Sequence, residues 1–151
     1  MRGDDGYQVS RDCRHVAYAI RQDGKCLVVL DGQPVSTGEE ILTFVLSPDG
    51  KRVADIAMKG DKKVVVVDGQ PGLCYNDIEE HSLNFSPDGK HVAYEACQGD
   101  NQFVVVVDGK PGPSIIKGIG KSRDARKFID RIIFSLDGKR VAYRSFGVRR
   151  C

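Results

Sequence analysis

Short apolar runs recur along this chain at a nearly constant interval, and each is closed by the same polar turn. Leu27 to Leu30, Val64 to Val67 and Phe103 to Val107 are apolar at every position. They lead into Leu30-Asp31-Gly32-Gln33-Pro34, Val67-Asp68-Gly69-Gln70-Pro71 and Val107-Asp108-Gly109-Lys110-Pro111, which are 37 and 40 residues apart. Runs this short, with no 3.6-residue periodicity, predict strands rather than helices. Apolar character at every position, instead of at alternate ones, predicts strands covered on both faces.

A second marker runs in phase with the first. Phe85-Ser86-Pro87-Asp88-Gly89-Lys90-His91-Val92-Ala93-Tyr94 places turn chemistry between an apolar residue and a strand-forming run. Proline presets φ for a turn, and Asp-Gly tolerates positive φ, so the decapeptide reads as a β-hairpin. Leu46 to Asp55 and Phe134 to Tyr143 repeat it, and Val9 to Tyr18 is a degraded copy. The turn serines Ser10, Ser47, Ser86 and Ser135 are separated by 37, 39 and 49 residues. A period near 40 with several short strands per repeat predicts propeller blades.

In the third repeat, the expected strands are Ser82 to Phe85, His91 to Cys97, Gln102 to Val107 and a weak fourth around Ser114 to Ile116. Residues 1-151 are therefore expected to form one all-β domain, a β-propeller-type array of about three and a half four-stranded blades. The blades fall at about 7-40, 41-80 and 81-118, with a partial one at 128-146 and a basic insertion at 118-127. Closed propellers have four or more blades. The array is thus expected to be an incomplete propeller, either part of a longer one or closed by self-association. Phe146 to Cys151 matches neither the third strand nor the turn of the repeat.

The decapeptides resemble the W/F-S-P-D-G-K-x-[IVL]-A-[FY] hairpin of the WD-repeat-like β-propeller family of bacterial proteins, the TolB type. Phe85 to Tyr94 matches nearly throughout, and Phe134 to Tyr143 departs at Leu136. Leu46 to Asp55 departs at both ends, and Val9 to Tyr18 keeps the Ser, Asp, Val, Ala and Tyr. The resemblance covers almost the whole chain and implies a fold, since the motif is a turn and not a site. Relatives of this kind serve as scaffolds or as gating domains of serine peptidases. The implied function is a non-catalytic protein- or ligand-binding scaffold. The alternative is the propeller part of a prolyl-oligopeptidase-like serine hydrolase whose catalytic domain is absent from this chain.

Composition changes this picture little. A net charge of +2, 40% hydrophobic and 29% charged residues suit a globular chain of 151 residues. No apolar run approaches the ~20 residues of a membrane helix. No signal peptide is visible, which favours the cytoplasm if the N-terminus is authentic. Cys13, Cys26, Cys74, Cys97 and Cys151 are odd in number and show no C-x-x-C pair, so free thiols are expected and zinc is not.

No residue is assigned a catalytic, cofactor-binding or metal-binding role. Gly118-Ile119-Gly120-Lys121-Ser122 half-matches a phosphate loop, but Ile115 stands where the first glycine is needed. Gly112-Pro113-Ser114-Ile115-Ile116 lacks the last glycine of a nucleophile elbow. His15, His81 and His91 are scattered, and His15 and His91 share a slot with Arg52 and Arg140 that is expected to be exposed. Asp49, Asp88 and Asp137 are expected to bond their own turns. Asn84-Phe85-Ser86 spells a glycosylation sequon but contains a phenylalanine expected to be buried.

Asp55 replaces the tyrosine of the other copies in a slot expected between blades, with Lys51, Arg52 or Lys59 as compensating neighbours. The basic stretch Lys117 to Arg131 has no interleaved aromatic before Phe128, so a solvated loop is expected and nucleic acid is not. The expected partner is a protein, or a second copy joined through open blade edges.

Overall fold

The computed structural model describes residues 6–99, 102–116 and 129–145. They form an all-β structure of antiparallel sheets. The first sheet is a meander of β1 (Tyr7–Val9), β2 (Val16–Gln22), β3 (Lys25–Leu30) and β4 (Gln33–Gly38). The second repeats it with β5 (Ile41–Leu46), β6 (Val53–Lys59), β7 (Lys62–Val67) and β8 (Gln70–Tyr75).

In the third sheet both outer lanes are interrupted. β9 (Asp77–Ile78) and β10 (Asn84–Phe85) both pair with β11 (Val92–Gly99), separated by a 3-10 turn at Glu80–Ser82. Beyond β12 (Gln102–Val107), the last lane is shared by β13 (Lys110–Pro111) and β14 (Ile115–Ile116). Asp77 and Ile78 thus join the third sheet ahead of His81, where the repeat spacing places its start. Lys63 on β7 helps to hold them, binding Asp77 at 2.7 Å and Glu80 at 3.6 Å. The fourth sheet has two described strands, β15 (Ile129–Phe134) and β16 (Val141–Ser145).

Three apolar layers join the sheets in sequence order. Ala17, Val28, Phe44, Val53 and Val64 fill the space between the first and second sheets. Ile56, Val65, Val92, Tyr94 and Val104 lie between the second and third. Ala93, Val105, Ile132 and Phe134 link the third and fourth. Successive strand residues point to opposite faces, so Val64 to Val66 and Val104 to Val106 supply both neighbouring layers, which explains their unbroken apolar character. Each such residue, fully buried, contributes roughly 1.5–3 kcal/mol.

The first strands also meet edge to edge. Gln8 on β1 donates Nε2–H to Phe44 O at 2.8 Å and accepts the Leu46 N–H at 2.9 Å, so a side-chain amide satisfies the open edge of β5. Asn84 on β10 donates to Ile132 O on β15 at 3.4 Å in the equivalent direction. No helix among the described residues is long and apolar enough to cross a membrane.

Candidate functional site

At one end of the stack the decapeptide turns form a row. Each serine hydroxyl donates to the turn aspartate: Ser10 to Asp12 at 2.5 Å, Ser47 to Asp49 at 2.6 Å, Ser86 to Asp88 at 2.5 Å and Ser135 to Asp137 at 2.5 Å. Each aspartate also accepts a backbone N–H two residues on, from Arg14, Lys51, Lys90 and Lys139. The serine hydroxyl oxygens accept the N–H of His15, Arg52, His91 and Arg140. The serine hydroxyls, then the backbone N–H groups, hold these four aspartates below the usual carboxylate range. In each turn one carboxylate oxygen, Oδ1, takes both bonds, which ties the aspartate into its own turn.

The slot after the turn is not merely an exposed position. His15 Nδ1 meets Asp31 at 2.6 Å, Arg52 Nε meets Asp68 at 2.8 Å and His91 Nδ1 meets Asp108 at 2.6 Å. The second oxygen of each aspartate accepts the N–H of Val16, Val53 or Val92. The His15 contact, then the Val16 N–H, lowers the Asp31 pKa. The two repeated markers are therefore halves of one device: the Asp-Gly closing the third strand clamps the start of the second. Their constant phase was the available signal, and reading each turn by itself misses it.

Arg52 reaches further. Its Nη1 donates to Gly89 O and to Lys90 O, both at 3.0 Å, and its guanidinium lies 5.5 Å from the centre of the Phe85 ring. It thereby stitches the second sheet's turn to the third's.

Where the third strand passes into the fourth, two clefts open between sheets at equivalent places. Val65, Val67, Gln70, Gly72, Val92 and Tyr94 line one of about 280 Å³. Val105, Val107, Lys110, Gly112, Val141 and Tyr143 line the other, of about 400 Å³. Gly72 and Gly112 sit in the same irregularity of the last lane, where the pairing shifts after Pro71 and where Gly112 N–H bonds Val105 O at 2.9 Å. Val35 is the corresponding residue of the first sheet, between Pro34 and Ser36.

Asp55 is 1% exposed and faces the first sheet. Neither carboxylate oxygen has a hydrogen-bond partner among the described residues, and neither does the buried hydroxyl of Ser36. Burial pushes the Asp55 carboxyl up to about 6, and the Ser36 hydroxyl partly offsets the shift. No ion pair joins Asp55 to Lys51, Arg52 or Lys59, and Arg52 is turned to Asp68 instead.

The remaining sequence candidates do not converge. His81 lies in an exposed 3-10 turn, and Ser114 is exposed in a loop. Asn84 is half-buried with its amide engaged on Ile132 O. Cys13, Cys26, Cys74 and Cys97 are free thiols. Among the described residues no three His, Cys, Asp or Glu side chains gather closely enough to hold a metal ion. The basic stretch from Lys117 to Lys127, including the half-matched phosphate loop, and Phe146 to Cys151 lie outside the described residues. Comparison with protein-family models and with curated proteins finds no match.

Proposed function

We propose that the chain is a segment of a β-propeller that works as a non-catalytic scaffold, binding a protein or ligand at the clefts between its sheets. The observation that carries this reading is the recurrence of one cleft, at one place in the repeat, with changed rim chemistry. Val65, Val67 and Tyr94 match Val105, Val107 and Tyr143, while Gln70 is exchanged for Lys110. A constant apolar floor with a variable polar rim suits recognition, where apolar area supplies affinity and a few polar groups supply selectivity. The serine, aspartate and histidine groups of the turns are hydrogen-bonded to one another and to backbone. Their chemistry is thereby directed to holding strands.

The test is capture on the purified chain beside two rim variants, Gln70→Trp and Lys110→Glu, with circular dichroism confirming that both fold. Binders retained by the wild type and lost from either variant are expected. Equal capture by all three, or covalent labelling of the chain by a fluorophosphonate probe, would overturn the reading.

A further inference from the structure

The interior junctions differ in one detail that bears on the open ends of the stack. A β-carbon on Gly50 would fall 2.6 Å from His15 Cβ and 2.7 Å from Ser10 Cβ of the preceding turn. One on Gly138 would fall 2.9 Å from Asp88 and 3.0 Å from His91. At Gly89, which follows the turn carrying Arg52, the nearest atoms stand at 3.6 Å, an ordinary contact. At both junctions that follow a histidine turn the ring Cδ2 is among the atoms a β-carbon would meet, at 2.7 Å and 3.0 Å, beside Cβ and carboxylate atoms that every such turn carries; at the junction that follows Arg52 there is room for a side chain.

Cys13 occupies the glycine position of the first turn, with the same left-handed backbone at φ 57°. It fits after a turn packed as the Arg52 turn is packed on Gly89. The fourth sheet carries an arginine in the slot: Arg140, exposed, whose guanidinium has no hydrogen-bond partner among the described residues. The slots alternate His15, Arg52, His91, Arg140, and a first sheet placed after Arg140 continues the alternation.

The two open faces match the interior ones. Tyr7 and Val9 are 63% and 50% exposed, and Val16 and Ile20 are also exposed. Leu83, Val92 and Ala96, which hold the places of Tyr7, Val16 and Ile20 in the third sheet, are buried against the second. On the fourth sheet Ile133 and Ala142 are exposed, paired across the strands as Val45 and Ala54 are in the second sheet, where Ala54 is buried.

We propose that the fourth sheet of one copy packs on the first sheet of a second copy, with Arg140 against Cys13 as Arg52 lies against Gly89. The inference rests on the propeller reading and names the protein partner as the chain itself. Arg140 would donate to the carbonyls of Cys13 and Arg14 of the second copy, the counterparts of Gly89 and Lys90, above Val9 in place of Phe85. The same contact made in both directions closes a two-copy ring, and a head-to-tail interface that closes does not run on into fibres.

Sedimentation velocity of the full chain in reductant, which removes disulfide-linked dimers, provides the test. The wild type is expected to reach twice the mass of the chain. Arg140→His should weaken association by ~tenfold or more, because the histidine ring takes the space of the Cys13 β-carbon. Adding Cys13→Gly to Arg140→His should restore it, since histidine against glycine is the packing seen at Gly50 and Gly138. A monomeric wild type, a dimer indifferent to Arg140→His, or no rescue by Cys13→Gly would overturn the proposal. Rim-dependent capture at Gln70 and Lys110 would survive each of those results, so this inference can fail without the scaffold reading failing.

Discussion

Tyr94 Oη stands 3.9 Å from the point where a side chain on Gly72 would begin. The tyrosine crosses from the third sheet over the missing side chain of the second. Between the first and second sheets both members of this pair are changed: Val35 takes the glycine position and Asp55 the tyrosine position. Both departures from the repeat fall at one junction, and a valine opposite a short aspartate is the steric counterpart of a glycine beneath a tyrosine.

Asp55→Tyr alone should therefore be destabilising, since overpacking costs about 1–3 kcal/mol. Val35→Gly alone should also destabilise by removing apolar contacts of a half-buried side chain. Together they recreate the Gly72–Tyr94 arrangement. Urea denaturation of the four proteins is expected to show a favourable coupling of about 1 kcal/mol or more. Additive losses would show that Asp55 and Val35 are independent substitutions.

Asp55 also sets a pH dependence. Its folded pKa of about 6 lies above the ordinary 3.8, so the folded protein holds the proton more tightly than the unfolded chain. That contribution is complete below pH 3.8 and is lost as pH rises through about 6. It corresponds to about 3 kcal/mol at most. The turn aspartates have lowered pKa values, so their contribution is present above 3.8 and is lost as pH falls further; the two windows do not overlap. Stability measured by urea at pH 4 to 8 should therefore fall more for the wild type than for Asp55→Asn. The variant should be the more stable protein at pH 8. Parallel pH profiles would contradict a buried, unpaired carboxylate at this position.

The all-β sheets, their order along the chain and the strand-turn-strand units follow from the spacing of Ser10, Ser47, Ser86 and Ser135 and from the valine runs. The interrupted lane at Asp77 to Phe85 was not legible, because Glu79, Glu80 and His81 carry no strand signal and pairing resumes only through β11. The ion pairs across the turns were half legible: Asp31, Asp68 and Asp108 recur in phase with His15, Arg52 and His91, but only the hairpin geometry brings the two markers together. The clefts were not legible at all. They depend on a shift in pairing beside Gly72 and Gly112, and a glycine in sequence does not announce which neighbour crosses it.

Ser86 is fully buried, and its hydroxyl both donates to Asp88 and accepts the His91 N–H at 3.0 Å. Ser86→Ala leaves that N–H unsatisfied in the interior, a cost of about 1–3 kcal/mol. Ser135 makes the same bonds on the half-exposed fourth sheet, where water can replace it. Thermal denaturation should show a larger loss for Ser86→Ala than for Ser135→Ala. Equal losses would mean that the turn network, and not its burial, sets the cost.

The stacking of turns makes a last distinction between two glycines with the same backbone. Gly50 has φ 74° and Gly89 φ 72°, so alanine at either position bears a similar left-handed strain, roughly 1–2 kcal/mol. Only at Gly50 does the added carbon also collide with the preceding turn, at 2.6 Å from His15 Cβ and 2.7 Å from Ser10 Cβ. Gly50→Ala should therefore cost about 1–3 kcal/mol more than Gly89→Ala, the range of an overpacked contact. His15→Ala should recover part of that excess by removing the ring, whose Cδ2 lies 2.7 Å from the added carbon, while the Cβ contacts keep the recovery incomplete. Hydrogen exchange localises the effect: Gly50→Ala is expected to speed exchange at the N–H groups of His15 and Arg52 on both sides of the junction, whereas Gly89→Ala should leave His15 unchanged. If both variants lose the same stability with the same exchange pattern, the turns do not bear on one another as the geometry requires.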